Sequence, residues 1–377
     1  MRRFFGAALF LAGCAASAPS PSTSTIDPRP STSTSTIDQR PSTSDVDAGV
    51  PSLPTASTAY PPAKPTTISL ASTGDAKLDA LLKAGDDAFE ANDLGNAEKH
   101  YEEARVLAPK KSAPIVGMDR VKIAKTNVPY DFAAAKGNAE ISAISGDLKK
   151  AVKMEPSLGA GQVELGRALL LLGDARGAID ALKKGAELLP NEAEAHSALG
   201  VAWLATGHPE EAMQEMGEAA KLDPGSAARH ENYGTTLLMR GKTKEAMDEY
   251  RASIAIDPND ARSHSDLGTA LLGDNQVVMA IPELQKAIQL DPKRATFHSN
   301  LGYALQTEGK LADAEREYHA ALSIDPQLAS AWINLATLLA KDPKRRADAR
   351  KALEKARAID PTDPRVKANQ EELDALH

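Results

Sequence analysis

Residues 193–226 read AEAHSALGVAWLATGHPEEAMQEMGEAAKLDPGS, and residues 227–260, AARHENYGTTLLMRGKTKEAMDEYRASIAIDPND, follow the same pattern without an insertion. A proline near the end of each stretch recurs every 34 residues, at Pro190, Pro224, Pro258, Pro292 and Pro326. Self-similarity at a fixed period of this length indicates a tandem array of short structural units. The period therefore decides the fold class before any single residue is considered.

Each unit predicts two helices joined by a tight turn. With the proline counted as position 32, position 8 is glycine, position 20 is alanine and position 24 is bulky in all five units. Position 15 holds residue types that end a helix in the left-handed conformation, namely Gly173, Gly207, Gly241, Asn275 and Gly309. We expect Asn191 or Ser226 to cap the next first helix. Because one hairpin cannot bury its apolar face alone, the units should stack into a solenoid.

This pattern resembles the tetratricopeptide repeat family in length, in the turn residue and in the small and large positions. The resemblance implies an all-α solenoid, and weaker copies at both ends extend it to about eight helical hairpins. The unit at 112–158 is irregular, because its proline spacing is thirteen residues longer than 34. The array is predicted over 78–363, followed by a capping helix at 364–377, with units at 78–111, 112–158, 159–192, 193–226, 227–260, 261–294, 295–328 and 329–363.

The N-terminus resembles the signal of a bacterial lipoprotein. Two arginines precede a short apolar stretch that ends in Leu11-Ala12-Gly13-Cys14, and this cysteine is the only one in the chain. The resemblance implies a signal peptide at 1–13 and a lipid on Cys14; a plain secretory signal or a short N-terminus with an accidental cysteine is the alternative. The two residues after the cysteine are Ala15 and Ala16, and neither is the aspartate that favours retention in the inner membrane. We therefore expect a lipid-anchored protein of the cell envelope, with the outer membrane, facing the periplasm, favoured.

Residues 14–74 are rich in serine, threonine and proline and contain few apolar side chains. Such a composition cannot offset the entropy of ordering a chain, so we predict a disordered tether. A spacer is favoured over a partner-binding or glycosylated segment.

Composition limits the classes of partner. The formal net charge of −8 disfavours nucleic acid, and a single cysteine excludes disulfides within the folded body. No later segment reaches the length of about 20 apolar residues that spans a bilayer. We expect a protein or peptide partner in the cell envelope, and membrane contact through the N-terminal lipid alone.

No motif of catalysis or cofactor binding stands out, so the chain is predicted to be neither an enzyme nor a cofactor protein. Histidines recur at position 4, as His196, His230, His264 and His298, and suggest a metal row. Each lies on a different helix, and packed helices are about 8–10 Å apart, so we interpret position 4 as a helix-packing site without a metal. The alternative of an enzyme would place its site at 127–138, where Tyr130 and Asp131 are the candidate groups.

The resemblance implies a function in binding, because first-helix positions of this family face a concave groove that holds partner segments. The favoured function is a membrane-anchored interaction scaffold, and the alternative within this class is a pilotin-like assembly factor for a secretin or pilus machine. The corresponding groove residues here are Arg167, Leu170, Leu204, Glu231, Asn232, Thr235, Leu238, Arg262, Ser265, Asp266, Thr269, Leu272, Ser299, Asn300 and Tyr303.

Overall fold

The structure, a computed structural model, describes residues 67–129 and 132–375. The predicted signal, Cys14 and nearly all of the predicted tether lie outside these residues. Within them the chain forms seventeen α-helices, and the first sixteen pair as eight consecutive hairpins. The helices are α1 (Ala76–Glu90), α2 (Leu94–Leu107), α3 (Ser112–Lys125), α4 (Ala139–Met154), α5 (Gly159–Leu171), α6 (Ala175–Leu188), α7 (Ala193–Ala205), α8 (Pro209–Leu222), α9 (Ala227–Met239), α10 (Thr243–Ile256), α11 (Ala261–Gly273), α12 (Val277–Leu290), α13 (Ala295–Glu308), α14 (Leu311–Ile324), α15 (Ala329–Ala340), α16 (Arg346–Ile359) and α17 (Pro364–Ala375).

The predicted all-α solenoid of hairpins is confirmed, and its packing explains the recurring residues. A Cβ placed on the position 8 glycine would lie 2.4–2.9 Å from the position 24 side chain of the same hairpin. The pairs are Gly166 with Leu182, Gly200 with Met216, Gly234 with Tyr250, Gly268 with Leu284 and Gly302 with Tyr318. Glycine is therefore required at position 8 because the bulky residue of the second helix fills that space.

The turn inside each of the five regular hairpins, the third to the seventh, has the predicted left-handed residue. The φ angle is +71° to +89° at Gly173, Gly207, Gly241 and Gly309, and it is +62° at Asn275. The last hairpin differs, since a short 3₁₀ helix at Pro343–Arg345 replaces the glycine turn before α16.

Of the two expected N-caps, Asn191 was wrong and Ser226 is correct in position only. Helix α7 has Glu192 at its N-cap, and Ser226 holds the cap position of α9 without a side-chain hydrogen bond to the helix. In both helices the first turn is instead closed by backbone bonds, such as Arg229 N–H to Ser226 C=O at 3.1 Å. Side-chain caps occur at other helices, from Asp75, Asp93, Asn138, Asp174 and Asp260.

The irregular second unit is a helix pair, α3 and α4, whose connection at 126–138 is longer than the others. Part of this connection folds back on the end of α5, where the amides of Ala133 and Ala135 donate to the carbonyls of Leu170 and Leu171 at 2.9 and 2.8 Å. The connection thus covers the next unit, and the stack continues through it.

Neighbouring first helices contact one another, for example α1 with α3, α3 with α5 and α11 with α13. We call the side of the stack formed by the first helices its inner side, and the predicted groove residues lie on these helices. Helix α17 packs against α15 and α16 and so covers the last hairpin. Among the described residues, none of the helices combines the length and the apolar character that a bilayer span needs.

Candidate partner-binding groove

Buried ion pairs join the first helices along the inner side of the N-terminal half. Arg120 on α3 lies 3.0 Å from Asp86 on α1 and 2.9 Å from Glu164 on α5. Arg167 then pairs with Glu164 at 3.0 Å and with Glu194 on α7. We call these residues, together with Arg229, the ion ladder. Arg229 on α9 completes it, 3.4 Å from Glu194 and 2.9 Å from the more exposed Asp223.

The ion ladder is a structural tie between units. Burial alone would raise the pKa of Glu164, but Arg120 and Arg167 outweigh it and hold that pKa below its usual value. Burial would lower the pKa of Arg167, yet the carboxylates of Glu164 and Glu194 raise it. Each ladder charge is compensated, and removing one partner of a buried pair leaves an uncompensated charge. Arg167, predicted for the groove, therefore makes contacts that hold the array together.

A second charged group lies between the fifth and sixth hairpins. Arg262 Nε on α11 is 2.5 Å from Glu231 Oε1 on α9 and 3.9 Å from Asp266 Oδ2. Burial raises the pKa of Glu231 well above its usual value. Burial and the nearby carboxylate of Asp260 raise the pKa of Asp266 to about 6, although Arg262 acts to lower it. Both carboxylates therefore take up a proton more readily than an exposed carboxylate does.

The predicted groove residues divide by exposure. Nine are buried, and these are Arg167, Leu170, Leu204, Glu231, Asn232, Ser265, Thr269, Leu272 and Ser299. The other six are partly exposed, and we call them the open stripe: Thr235, Leu238, Arg262, Asp266, Asn300 and Tyr303. The open stripe runs along α9, α11 and α13, so the accessible part of the predicted groove lies in the fifth to seventh hairpins.

Asparagines of the first helices form hydrogen bonds from unit to unit. Asn300 Nδ2 donates to Thr269 Oγ1 at 3.3 Å and to Ser265 Oγ at 3.4 Å. Asn369 on α17 repeats this contact, donating to Thr337 Oγ1 at 2.9 Å. Asn232 holds the same position on α9, and its Oδ1 is buried without a hydrogen-bond partner among the described residues. The sequence interpretation did not include Asn334 and Asn369, although both hold position 6 of their units, as Asn300 does.

The N-terminal end of the groove is occupied by the chain itself. Residues 67–71, just before α1, form neither helix nor strand and lie against Asp86 and Arg120. Ile68 and Leu70 are only 3% and 0% exposed. The sequence interpretation assigned these residues to the tether, because a five-residue segment carries no periodic signal.

The four recurring histidines share one arrangement. In each, Nδ1 lies 2.6–2.7 Å from a glutamate on the second helix of its own hairpin, and Nε2 lies 3.2 Å from the carbonyl of the preceding position 32 proline. Trp332 reproduces the second contact in the last hairpin, at 2.9 Å to the carbonyl of Pro326. Position 4 thus ties each first helix to its neighbours. No cluster of His, Cys, Asp or Glu suited to a metal ion occurs in residues 67–129 or 132–375.

The candidate groups for an enzyme, Tyr130 and Asp131, lie outside the described residues.

Comparison with known proteins agrees with this architecture. Two models of the tetratricopeptide repeat match the chain, one at residues 169–233 and 305–373 and the other at 265–329. The solved APC/C hetero-tetramer Cut9–Hcn1 is similar over 81% of this chain, with 17% identity and a TM-score of 0.56. The match covers 57% of that structure's chain, so this protein spans little more than half its length. By these matches the chain contains tetratricopeptide repeats, at residues 169–233 and 265–373.

Smaller structures are similar over part of the chain. The pilF protein of Pseudomonas aeruginosa matches with 23% identity over 57% of this chain and 97% of its own, with a TM-score of 0.48. YrrB, a TPR protein with an unusual peptide-binding site, matches with 24% identity over 51% of this chain and 99% of its own, with a TM-score of 0.40. No curated protein matches the chain.

Proposed function

We propose that this protein is a scaffold of the bacterial cell envelope that binds an extended segment of a partner protein along the open stripe. The observation that carries the proposal is the division of the groove. Its N-terminal half is filled by the ion ladder and by residues 67–71, whereas three successive first helices of the C-terminal half leave polar and aromatic side chains accessible.

The chemistry of the open stripe suits a polypeptide backbone. Asn300 and Thr235 carry hydrogen-bonding groups, while Tyr303 and Leu238 supply apolar area beside them. The hydrogen bonds that Asn300 makes within the protein are long, at 3.3 and 3.4 Å, so its amide can exchange them for bonds to a ligand at little cost. Grooves that combine such groups bind extended segments through main-chain hydrogen bonds and side-chain pockets.

Binding is tested with two double variants. Asn300→Ala with Tyr303→Ala should weaken the partner's affinity by about 1–3 kcal/mol without changing the circular dichroism spectrum. The control is Lys244→Ala with Gln285→Ala, two exposed residues of second helices. Glu249 is unsuitable as a control, since its carboxylate contacts His230 at 2.6 Å. After a crosslinking pull-down identifies a partner, calorimetry compares the two pairs; loss of affinity in the control pair alone would place binding on the outer face.

The anchor is the second part of the proposal, and it rests on the sequence around Cys14. If the cysteine carries lipid, Cys14→Ser should move the protein from the membrane fraction to the soluble fraction, because acyl chains supply about 0.8 kcal/mol of membrane affinity per buried methylene. Unchanged partition of the variant would contradict the anchor. The outer membrane, facing the periplasm, is the proposed location.

A pilotin-like role is the narrower form of this proposal, and it rests on the combination of a lipoprotein-like signal with the repeats. Deletion of the gene should then abolish the multimers of a secretin. Intact secretin multimers in the deletion strain would contradict the pilotin-like role, and only the general scaffold function would remain as the proposal.

A further inference from the structure

The segment 67–71 is held as a bound peptide would be. Asp86 Oδ2 accepts the Leu70 N–H at 2.8 Å and the Ser69 hydroxyl at 3.1 Å, and Arg120 Nη2 donates to the Ile68 carbonyl at 2.9 Å. Ile68 and Leu70 are buried while Ser69 between them is exposed. The Asp86 carboxylate and the Arg120 guanidinium therefore bind backbone groups of the segment, and the repeats bury the side chains of Ile68 and Leu70 on either side of Ser69.

The repeats hold this pair of charges in place. Asp86 Oδ1 accepts from the Tyr101 hydroxyl at 2.7 Å and from Arg120 Nη1 at 3.0 Å, while Arg120 Nε donates to Glu164 at 2.9 Å. These contacts come from α1, α2, α3 and α5, none of which includes the segment. The site is thus organised by the hairpins, and the segment contributes only backbone groups, two apolar side chains and one hydroxyl.

We propose that the inner faces of α1 and α3 form a peptide-binding site, that residues 67–71 are its ligand within the chain, and that a partner segment displaces them. The partner segment is extended and has apolar side chains two residues apart. This rests on the proposed scaffold function and adds a second site at the opposite end of the groove from the open stripe.

The link to α1 allows release of the segment without loss of the helix. Asp79 accepts from the Thr73 N–H at 2.8 Å and from the Gly74 N–H at 3.2 Å, and Asp75 caps the helix through the amides of Lys77 and Leu78. None of these bonds involves residues 67–71. One backbone hydrogen bond, from the Ser72 N–H to the Leu70 carbonyl at 3.0 Å, joins the link to the segment. Opening the site therefore requires local detachment of the segment with the loss of this one bond, while the bonds of Asp75 and Asp79 remain.

A covalently linked ligand competes at high effective concentration, because the short link keeps it near its site. A partner therefore meets a site that is free for only a fraction of the time, and its apparent affinity falls by that fraction. Weakening the internal ligand should raise the affinity for an added peptide of the same pattern.

The test uses the full chain and a fluorescein-labelled peptide of residues 67–72, TISLAS. The variant Ile68→Asp with Leu70→Asp should bind this peptide at least tenfold more tightly than the wild type in fluorescence anisotropy. The control, Val106→Asp with Val278→Asp, changes two valines that are 73% and 76% exposed and should behave as the wild type. A peptide with aspartate at both apolar positions should bind none of the three.

Two results would overturn the proposal. One is a folded Ile68→Asp, Leu70→Asp variant that does not bind the peptide, which would make the segment a fixed part of the fold. The other is equal binding by wild type and variant, which would place the peptide elsewhere. Neither result bears on the open stripe, because the Asn300 and Tyr303 variants test that surface with a different ligand.

Hydrogen exchange on the wild type gives an independent reading if the variant fails to fold. The Leu70 amide should exchange at least a hundredfold faster than the slowest amides of α1, because the segment detaches locally. Exchange as slow as that of α1 would show that the segment opens only with the helix, and would overturn the proposal.

Discussion

The glycines at position 8 show how one atom decides the packing of a hairpin. At Gly234 an added Cβ would lie 2.9 Å from the ring of Tyr250, which is itself fully buried. A buried ring has little room to move, so the neighbouring helix would have to shift. At Gly95, an exposed position early in α2, the nearest atom to an added Cβ is the Asp93 carboxylate, at 3.7 Å.

These two sites give a matched prediction. Gly234→Ala should lower the free energy of unfolding by about 1–3 kcal/mol through overpacking. Gly95→Ala should leave it unchanged or raise it by up to about 1 kcal/mol, because alanine favours a helix. Urea denaturation of both variants measures the difference; equal midpoints would contradict close contact between the two helices.

Histidine at position 4 links the elements, and at His196 and His298 its hydrogen bonds favour the protonated ring. Both partners of His196, the Glu215 carboxylate and the Pro190 carbonyl, can only accept, so both ring nitrogens must carry protons. The hydrogen bond to Glu215 raises the pKa of His196, and Glu317 raises that of His298 in the same way. The hydrogen bonds of His196 and His298, which join the two helices of their hairpins, should therefore depend on pH.

Stability should fall as the pH rises above about 6.5, the usual pKa of histidine. A raised folded-state pKa means that the folded state binds more protons, so its contribution is complete below the unfolded pKa and lost as the pH rises through the folded pKa. Asp266, with its pKa raised from 3.8 to about 6, also favours the folded state at low pH, but its contribution is lost between these two values and so below the range of the histidines. Melting temperatures at pH 5.5 and 8.0 should differ more for the wild type than for Glu215→Gln with Glu317→Gln. An equal difference would rule out these pairs as its source.

Elements that repeat were predictable from the sequence, and elements that occur once were not. The period of 34 gave the hairpins, the left-handed turns and the position 8 glycines because every unit repeats the same local constraint. The ion ladder was not predicted, because its members hold different repeat positions: Glu164 is at position 6, Arg167 at position 9 and Glu194 at position 2. Residues that pair across units leave no periodic signal, so the sequence did not show that Arg167 and Glu231, which hold groove positions of the family, form ion pairs within the protein.

At the scale of the molecule, the buried apolar side chains form two large clusters, within residues 68–202 and 237–373. Between them lies a small cluster of Leu204, Ala212 and Met216. The ion ladder crosses this region, because Glu194 on α7 reaches Arg167 on one side and Arg229 on α9 on the other. Units of a solenoid couple only through their interfaces, so cooperativity between the two halves depends on contacts such as these.

Glu194→Gln should therefore weaken the coupling of the halves. The substitution keeps the shape of the side chain but removes the charge between two buried guanidinium groups, at a cost of up to about 3 kcal/mol. This cost is at the low end of the range expected for breaking a buried ion pair, because Arg167 still pairs with Glu164 and Arg229 still pairs with Asp223. In urea, we expect one unfolding transition for the wild type and two for Glu194→Gln, monitored by circular dichroism.

The control is Glu218→Gln, which removes an exposed pair with Lys221. It should change stability by less than about 0.5 kcal/mol and keep one transition. A single transition with an unchanged midpoint in Glu194→Gln would show that Val201, Trp203 and Tyr233, the half-buried apolar residues at the boundary, suffice to couple the two halves.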